Sequence, residues 1–151
     1  MGSKKVAGIL GSCIVPIIAA AATTTLNPKP VTDYTALLGY LRDSGASIVE
    51  QGAIQESFFD IEGRRITINE STIEVYEYAD VEAMETEASC VSTEGCSFGK
   101  GKGDIAEVYF VDWITTPHFY KAGRIIVFYC GDNDSIIGLL EHALGTQFAG
   151  T

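Results

Sequence analysis

The run Ile125-Ile126-Val127-Phe128-Tyr129 constrains the fold of this chain more than any other segment. Five consecutive apolar residues without alternation are typical of a central β-strand that is covered on both faces. We therefore expect a sheet at the centre of the fold, with this run among its inner strands.

Other segments alternate between apolar and polar residues with a period of two, as half-buried strands do. The turn signals Glu62-Gly63 and Asn69-Glu70-Ser71 separate several of them and indicate a β-meander. The predicted strands begin at Ile48-Val49 and cover residues 55–61, 64–68, 73–78 and 107–115, followed by a hairpin over 119–129.

Three segments show the 3.6-residue period of amphipathic helices. In the first, Thr32 or Asp33 is the predicted N-cap and Gly45 ends the helix. Asp80 begins the second, and residues 131–134 supply a turn and cap for the third. The order α-β-β-β-β-α-β-β-β-α predicts an α+β fold, an antiparallel sheet (β-meander plus C-terminal hairpin) with helices packed on one face.

The segment from Gly95 to Asp104 is rich in glycine and contains Lys100 and Lys102. It lacks the G-x4-G-K-[ST] spacing of a phosphate-binding loop, and it neither follows a clear strand nor opens a helix. We expect a mobile surface loop here.

The first 22 residues have the pattern of an export signal. Lys4 and Lys5 precede an uncharged run that closes with Ala19–Ala22. Three interpretations stay open: a signal peptide cleaved near Ala22, an uncleaved membrane anchor, and lipidation at Cys13, since Leu10-Gly11-Ser12-Cys13 resembles a lipobox. All three predict a secreted or cell-envelope protein, with residues 1–22 as leader, 23–31 as linker and 32–151 as a single domain.

The charge balance is acidic and excludes some partner classes. The chain carries −10, and the part from Thr23 onward carries −12, from 8 basic and 20 acidic residues. Nucleic acid is not expected as a partner, because its binding depends on basic groups that neutralise phosphates. Contact with a membrane is expected only through the N-terminal segment, if that segment is retained.

Cys90, Cys96 and Cys130 follow the leader. In an exported protein an odd number of cysteines indicates one bridge and one free thiol, and Cys90–Cys96 is the predicted pair. Cys130 ends the apolar run and is expected to be a buried small side chain. Because Cys-x5-Cys has only His118 and His142 as possible companions, no metal or other cofactor is predicted.

Two distinctive blocks of sequence match none of the common motifs but carry a resemblance of their own. They are Trp113 to Arg124, which includes Thr116-Pro117-His118-Phe119-Tyr120-Lys121-Ala122-Gly123, and Leu144-Gly145-x-Gln147-Phe148-Ala149-Gly150. With Val75-Tyr76-Glu77-Tyr78-Ala79-Asp80, this pattern resembles a group of small exported or lipoprotein-like bacterial proteins of unknown function. The resemblance implies export and a bacterial source, but it brings no activity, substrate or catalytic residue. Members of this group often lack the cysteine pair.

Two functional hypotheses follow from the residues. In the first, the protein is a non-catalytic extracytoplasmic module that binds a protein or a small ligand, with an acidic flank suited to a basic partner. The predicted contact residues are Trp113, His118, Phe119, Tyr120 and Arg124.

In the second hypothesis, the protein is a small exported hydrolase or thiol enzyme. It would use His118 with Cys130 or with a carboxylate such as Asp112. This hypothesis requires an open cleft that holds His118 beside a second titratable group. The alternative for His118 is structural, with its ring bonded to a nearby backbone carbonyl.

Overall fold

The computed structural model describes residues 30–54, 57–100 and 107–150. The predicted leader and Cys13 lie outside the described residues. Among the helices that the structure describes, none is long and apolar enough to cross a bilayer.

A six-stranded antiparallel sheet forms the centre of the molecule, with strand order β1-β2-β3-β7-β6-β8. The β-meander (β1 to β3) and the C-terminal hairpin (β6 and β7) were both predicted and are confirmed. The strands are β1 (Ile48–Ala53), β2 (Gly63–Ile68), β3 (Ser71–Glu77), β6 (Pro117–Ala122), β7 (Ile125–Cys130) and β8 (Ala149–Gly150).

The apolar run is strand β7, and it is covered on both faces as predicted. Because successive side chains of a strand point to opposite faces, the run divides between two cores. Ile125, Val127 and Tyr129 belong to one buried cluster, and Ile126 and Phe128 to the other.

Two helices close the first face of the sheet: α1 (Tyr34–Asp43) and α3 (Asp134–Leu144). The α1 N-cap is Asp33, whose Oδ1 accepts the Ala36 N–H at 2.8 Å. Leu37 and Leu41 of α1 and Leu140 of α3 are completely buried in a largely aliphatic core. This face has the amphipathic helices that the sequence predicted.

The second face is covered by α2 (Val81–Ala88) and by a small hairpin of β4 (Ser97–Lys100) and β5 (Glu107–Phe110). Met84 of α2 and Phe98 of β4 are buried with Tyr76, Phe119 and other aromatic residues. The α+β class with packed helices is therefore confirmed, and the helices divide between both faces instead of sharing one.

The predicted strand over 55–61 is wrong where the structure describes it, because no strand is formed and residues 58–61 are bends. Phe58 and Phe59 are adjacent in sequence yet pack against the same cluster, with ring centroids 5.4 Å apart. A strand would send them to opposite faces. The Ser57 hydroxyl instead accepts the Phe59 N–H at 3.0 Å and closes a local turn.

Two further expectations fail around the small hairpin. The described part of the predicted mobile loop, residues 95–100, contains β4, which the buried Phe98 ring anchors against the sheet, and residues 101–104 of that prediction lie outside the described residues. The predicted strand over 107–115 is paired only from Glu107 to Phe110. After Val111 the chain leaves the hairpin and directs Trp113 into the aromatic cluster.

Candidate interaction surface

Two of the predicted contact residues are core residues. Phe119 and Tyr120 are completely buried, and they belong to opposite faces of the sheet. Burial raises the pKa of Tyr120 to about 12. The expected exposed corner of aromatic side chains at these positions is therefore wrong, because β6 is an inner strand between β7 and β8.

His118 is also buried, with 6% of its surface exposed. Its Nε2 lies 3.1 Å from the carbonyl oxygen of Gly131, and its Nδ1 lies 2.7 Å from Oε1 of Gln147. The ring stacks on Tyr129 at 5.9 Å. The structural interpretation of His118 is confirmed, because the ring bonds a backbone carbonyl and fastens the β8 segment to the sheet.

This geometry gives no support to the enzyme hypothesis. His118 lies opposite Tyr129 in the β6–β7 register and stacks on it, whereas Cys130 packs against the aromatic cluster on the other face. The Cys130 thiol lies 3.2 Å from the Thr115 hydroxyl. The His118 ring is buried and both of its nitrogens have hydrogen-bond partners, whereas the hypothesis required this ring to lie in an open cleft.

Arg124 is engaged in structural contacts. Its Nη2 lies 2.9 Å from Oε1 of Glu77, and its Nη1 donates to the carbonyl of Tyr78. The Arg124 N–H also donates to the Thr32 carbonyl at 2.9 Å. This side chain ties the β6–β7 turn to β3, and 42% of it remains exposed.

The two blocks that carry the resemblance to exported bacterial proteins form one structural unit. The first block supplies β6 and its turn, and the second supplies Gln147 and β8. Gly150 has φ +98°, and a Cβ there would lie 2.0 Å from the Pro117 carbonyl oxygen. Gly123 has φ +54° and approaches Thr32 as closely. Gly150 therefore allows close packing at the start of β6, and Gly123 allows it at the turn that follows the strand.

The predicted Cys90–Cys96 bridge is not formed. Both residues are free thiols, which donate to the carbonyls of Thr86 and Glu94. The backbone carbonyl of Cys90 accepts the Gly99 N–H across an antiparallel bridge. Cys90 therefore lies opposite Gly99, and Cys96 is three residues away from Gly99 along the chain. Three residues of strand span about 10 Å, beyond the Cα separation that a disulfide permits.

Trp113 is half-buried and is the one predicted contact residue that joins the core to the surface. Its Nε1 donates to the Gly95 carbonyl at 2.8 Å, and its ring packs 4.9 Å from that of Phe128. Phe58, Phe98 and Phe119 also lie within ring contact of Trp113. The indole therefore anchors the segment after β5.

Several exposed apolar side chains lie in β5 and in the segment that follows it, at positions that sequence reasoning did not select. Phe110 is 82% exposed, Val108 is 53% exposed, and Ile114 is fully exposed. We call these three side chains, with the unpaired edge of β5, the β5 surface. The alternation over 107–115 was the available signal, but it does not say which face of a strand is buried.

A pocket of about 550 Å³ adjoins the end of β5. Trp113, Ile114, Cys96 and the two carboxylates Asp112 and Asp132 are among its lining residues. A partner on the β5 surface therefore meets apolar side chains with an acidic border.

Every lysine and arginine in the described ranges forms an ion pair, with its side chain within 4.0 Å of a carboxylate. These six residues are Arg42, Arg64, Arg65, Lys100, Lys121 and Arg124. Near β5, Lys100 pairs with Asp60 at 3.3 Å and lies over the Tyr109 ring. Among the described residues near β5, the charge that is left without an ion-pair partner is therefore negative.

Comparisons with known proteins add no family. No protein-family model matches the chain, and neither the curated proteins nor the solved structures gave a match. The resemblance to small exported bacterial proteins stays a prediction.

Proposed function

We propose that this protein is an extracytoplasmic, non-catalytic module that binds a partner protein through the β5 surface. The observation that carries the proposal is the exposure of Val108, Phe110 and Ile114 within seven residues of chain. The leader pattern of residues 1–22 supports the location.

Energetics favour an interface at this surface. Complete burial of a valine, isoleucine or phenylalanine side chain is worth about 1.5–3 kcal/mol. Single exposed apolar residues are normal on proteins, but a group of large ones marks an interaction site. The pocket beside Trp113 gives such an interface a recess, and Asp112 and Asp132 supply a polar border.

The non-catalytic part of the proposal is supported by the state of the candidate catalytic groups. The His118 ring is enclosed and bonded at both nitrogens. No group of three His, Cys, Asp or Glu side chains within the described ranges is arranged to hold a metal ion. The exposed side chains of the β5 surface are apolar and its border is acidic, a composition that suits binding to a partner protein.

Site-specific photo-crosslinking in the host tests this function. A benzoylphenylalanine residue replaces Phe110 in one strain and Val49 in the control strain, because Val49 is also an exposed apolar strand residue, at 57%. We expect a discrete adduct with a second protein from position 110 and none from position 49. Absence of an adduct at position 110, or the same adducts at both positions, would contradict the proposal.

A further inference from the structure

We infer that the β5 surface captures its partner by strand addition, and that the partner segment is an extended, apolar stretch flanked by lysine or arginine. This inference rests on the proposed function and specifies the partner's chemistry and its mode of binding.

The register of the small hairpin identifies the free backbone groups of β5. Ser97 lies opposite Phe110, and the Val111 N–H donates to the Cys96 carbonyl at 2.9 Å. In an antiparallel ladder this makes Phe98 and Tyr109 the pair that exchanges hydrogen bonds. The N–H and C=O groups of Val108 and Phe110 consequently point away from β4.

No other strand in the described part of the chain pairs with this edge of β5. An extended segment that lies along it can therefore exchange hydrogen bonds with both Val108 and Phe110. Strand addition of this kind gives affinity through the main chain, and side chains on alternate positions give specificity.

The outer face of the hairpin fits apolar side chains of such a strand. Phe110 lies opposite Ser97, and Val108 lies opposite Gly99. Opposed residues share a face of the sheet, so two large side chains stand beside two small ones. An added strand would place its own apolar side chains against Val108 and Phe110 from the free side.

The charges at the two ends of β5 favour a partner segment with basic residues on either side of its apolar stretch. Glu107 begins the strand, and Asp112 is exposed two residues after its end. Among the described residues, the cation on the neighbouring strand, Lys100, is already paired with Asp60. Lysine or arginine on either side of the apolar stretch would therefore meet carboxylates, whereas acidic flanks would be repelled.

The same charges disfavour a second copy of this chain as the occupant. Symmetric pairing of two β5 strands about Tyr109 would bring Glu107 of one chain close to Asp112 of the other. It would also join two chains that each carry −10. Like charges across a strand pair are destabilising.

Peptide binding to the ¹⁵N-labelled full chain tests the inference. The probe is Lys-Lys-Val-Thr-Val-Thr-Val-Lys-Lys, compared with a twin that has glutamate for each lysine and a twin N-methylated at the five central residues. The readout is the hydrogen–deuterium exchange of the Val108, Tyr109 and Phe110 amides.

We expect the lysine peptide to slow exchange at Val108 and Phe110 at least tenfold and to leave Tyr109, which already points to β4, unchanged. The glutamate twin should bind at least tenfold more weakly, and the methylated twin should give no protection. Equal protection by the glutamate twin would overturn the charge assignment. Peptide-dependent shifts of the β5 side chains without amide protection would overturn strand addition.

Concentration-dependent protection without peptide would make a second copy the occupant and overturn the inference. The fate of the proposed function is read separately from the crosslinks. Adducts from position 110 without amide protection leave the function standing and refute strand addition. Absence of both refutes the two together.

Discussion

Strands β1 and β5 are both edge strands among the described residues, but only β1 is guarded. Its ladder with β2 is interrupted by a bulge between Glu50 and Gly52, and Glu50 is held by Arg42 and by the Tyr34 hydroxyl. Bulges and charges are common devices against unwanted strand pairing. Strand β5 is shorter, pairs in continuous register with β4, and presents Val108 and Phe110 to solvent. The edge of β1 is thus protected against pairing with another strand, whereas the edge of β5 is available for it.

The largest expected effect concerns the anchor of the available edge. Phe98→Ala should cost about 3–5 kcal/mol of unfolding free energy, because it empties the aromatic cluster that holds β4. Amide exchange should also rise in β5 while β1 stays protected by β2. Denaturant unfolding and exchange measure both. A loss below about 1 kcal/mol would show that the cluster does not support the hairpin.

The bulge of the guarded edge supplies the next prediction. Gly52→Val should cost about 1–3 kcal/mol, since φ is +98° at a position with open space around it, and backbone strain is the only penalty. Gly99→Ala is the matched control in the hairpin, where a Cβ would make ordinary contacts at 3.7 Å and φ is not strained. If both variants unfold at the same denaturant concentration, the bulge does not depend on glycine.

A pH effect distinguishes the two edges more finely. Burial, with the hydrogen bond to Glu50, raises the pKa of Tyr34 to about 12 from its ordinary value of 10.0. Between pH 10 and pH 12 the folded chain keeps the Tyr34 hydroxyl proton, whereas the unfolded chain loses it. The free energy of unfolding therefore falls as the pH rises through this range, by at most about 1.4 kcal/mol per pH unit.

Tyr34→Phe should reduce this alkaline loss. The hydrogen bond to Glu107 also raises the pKa of Tyr109, but that side chain is solvent-exposed, so Tyr109→Phe should change the pH profile of stability less than Tyr34→Phe does. Unfolding curves at pH 8, 10 and 11 provide the measurement. Parallel pH profiles for wild type and Tyr34→Phe would contradict the role of the Tyr34–Glu50 contact.

The smallest effect on stability is expected at the centre of the proposed interface. Phe110→Ser and its control Val49→Ser should each change the unfolding free energy by less than about 0.5 kcal/mol, because both side chains are mainly in solvent. Calorimetry on the two variants measures this. A cost above 1 kcal/mol for Phe110→Ser would mean that the ring supports the fold and is not reserved for a partner.

The sequence predicted the parts of the fold that depend on local pattern. The α1 stripe, the Asp33 cap and the central strand all follow from periodicity and capping, and all are confirmed. Phe58 and Phe59 could not be assigned from sequence, because their shared burial depends on β4 reaching them from 40 residues along the chain. Similarly, the resemblance and the break at Pro117 marked His118 and Phe119 as distinctive, but local sequence could not reveal that β8 pairs with them.

The central claim is that the partner recognises the free backbone edge of β5 and not merely its apolar side chains. The direct measurement is the crosslink yield from position 110 in wild type, in Val108→Pro and in Ala53→Pro. Proline removes an N–H that points outward at position 108, which an edge strand tolerates, and Trp113 fluorescence monitors whether the hairpin remains folded. Ala53 of β1 is the matched control, because it is exposed and the Ile54 N–H donates to the Gly63 carbonyl, so the Ala53 N–H points away from β2. We predict that Val108→Pro abolishes the adduct and that Ala53→Pro retains it. An undiminished adduct from a folded Val108→Pro chain would contradict the account.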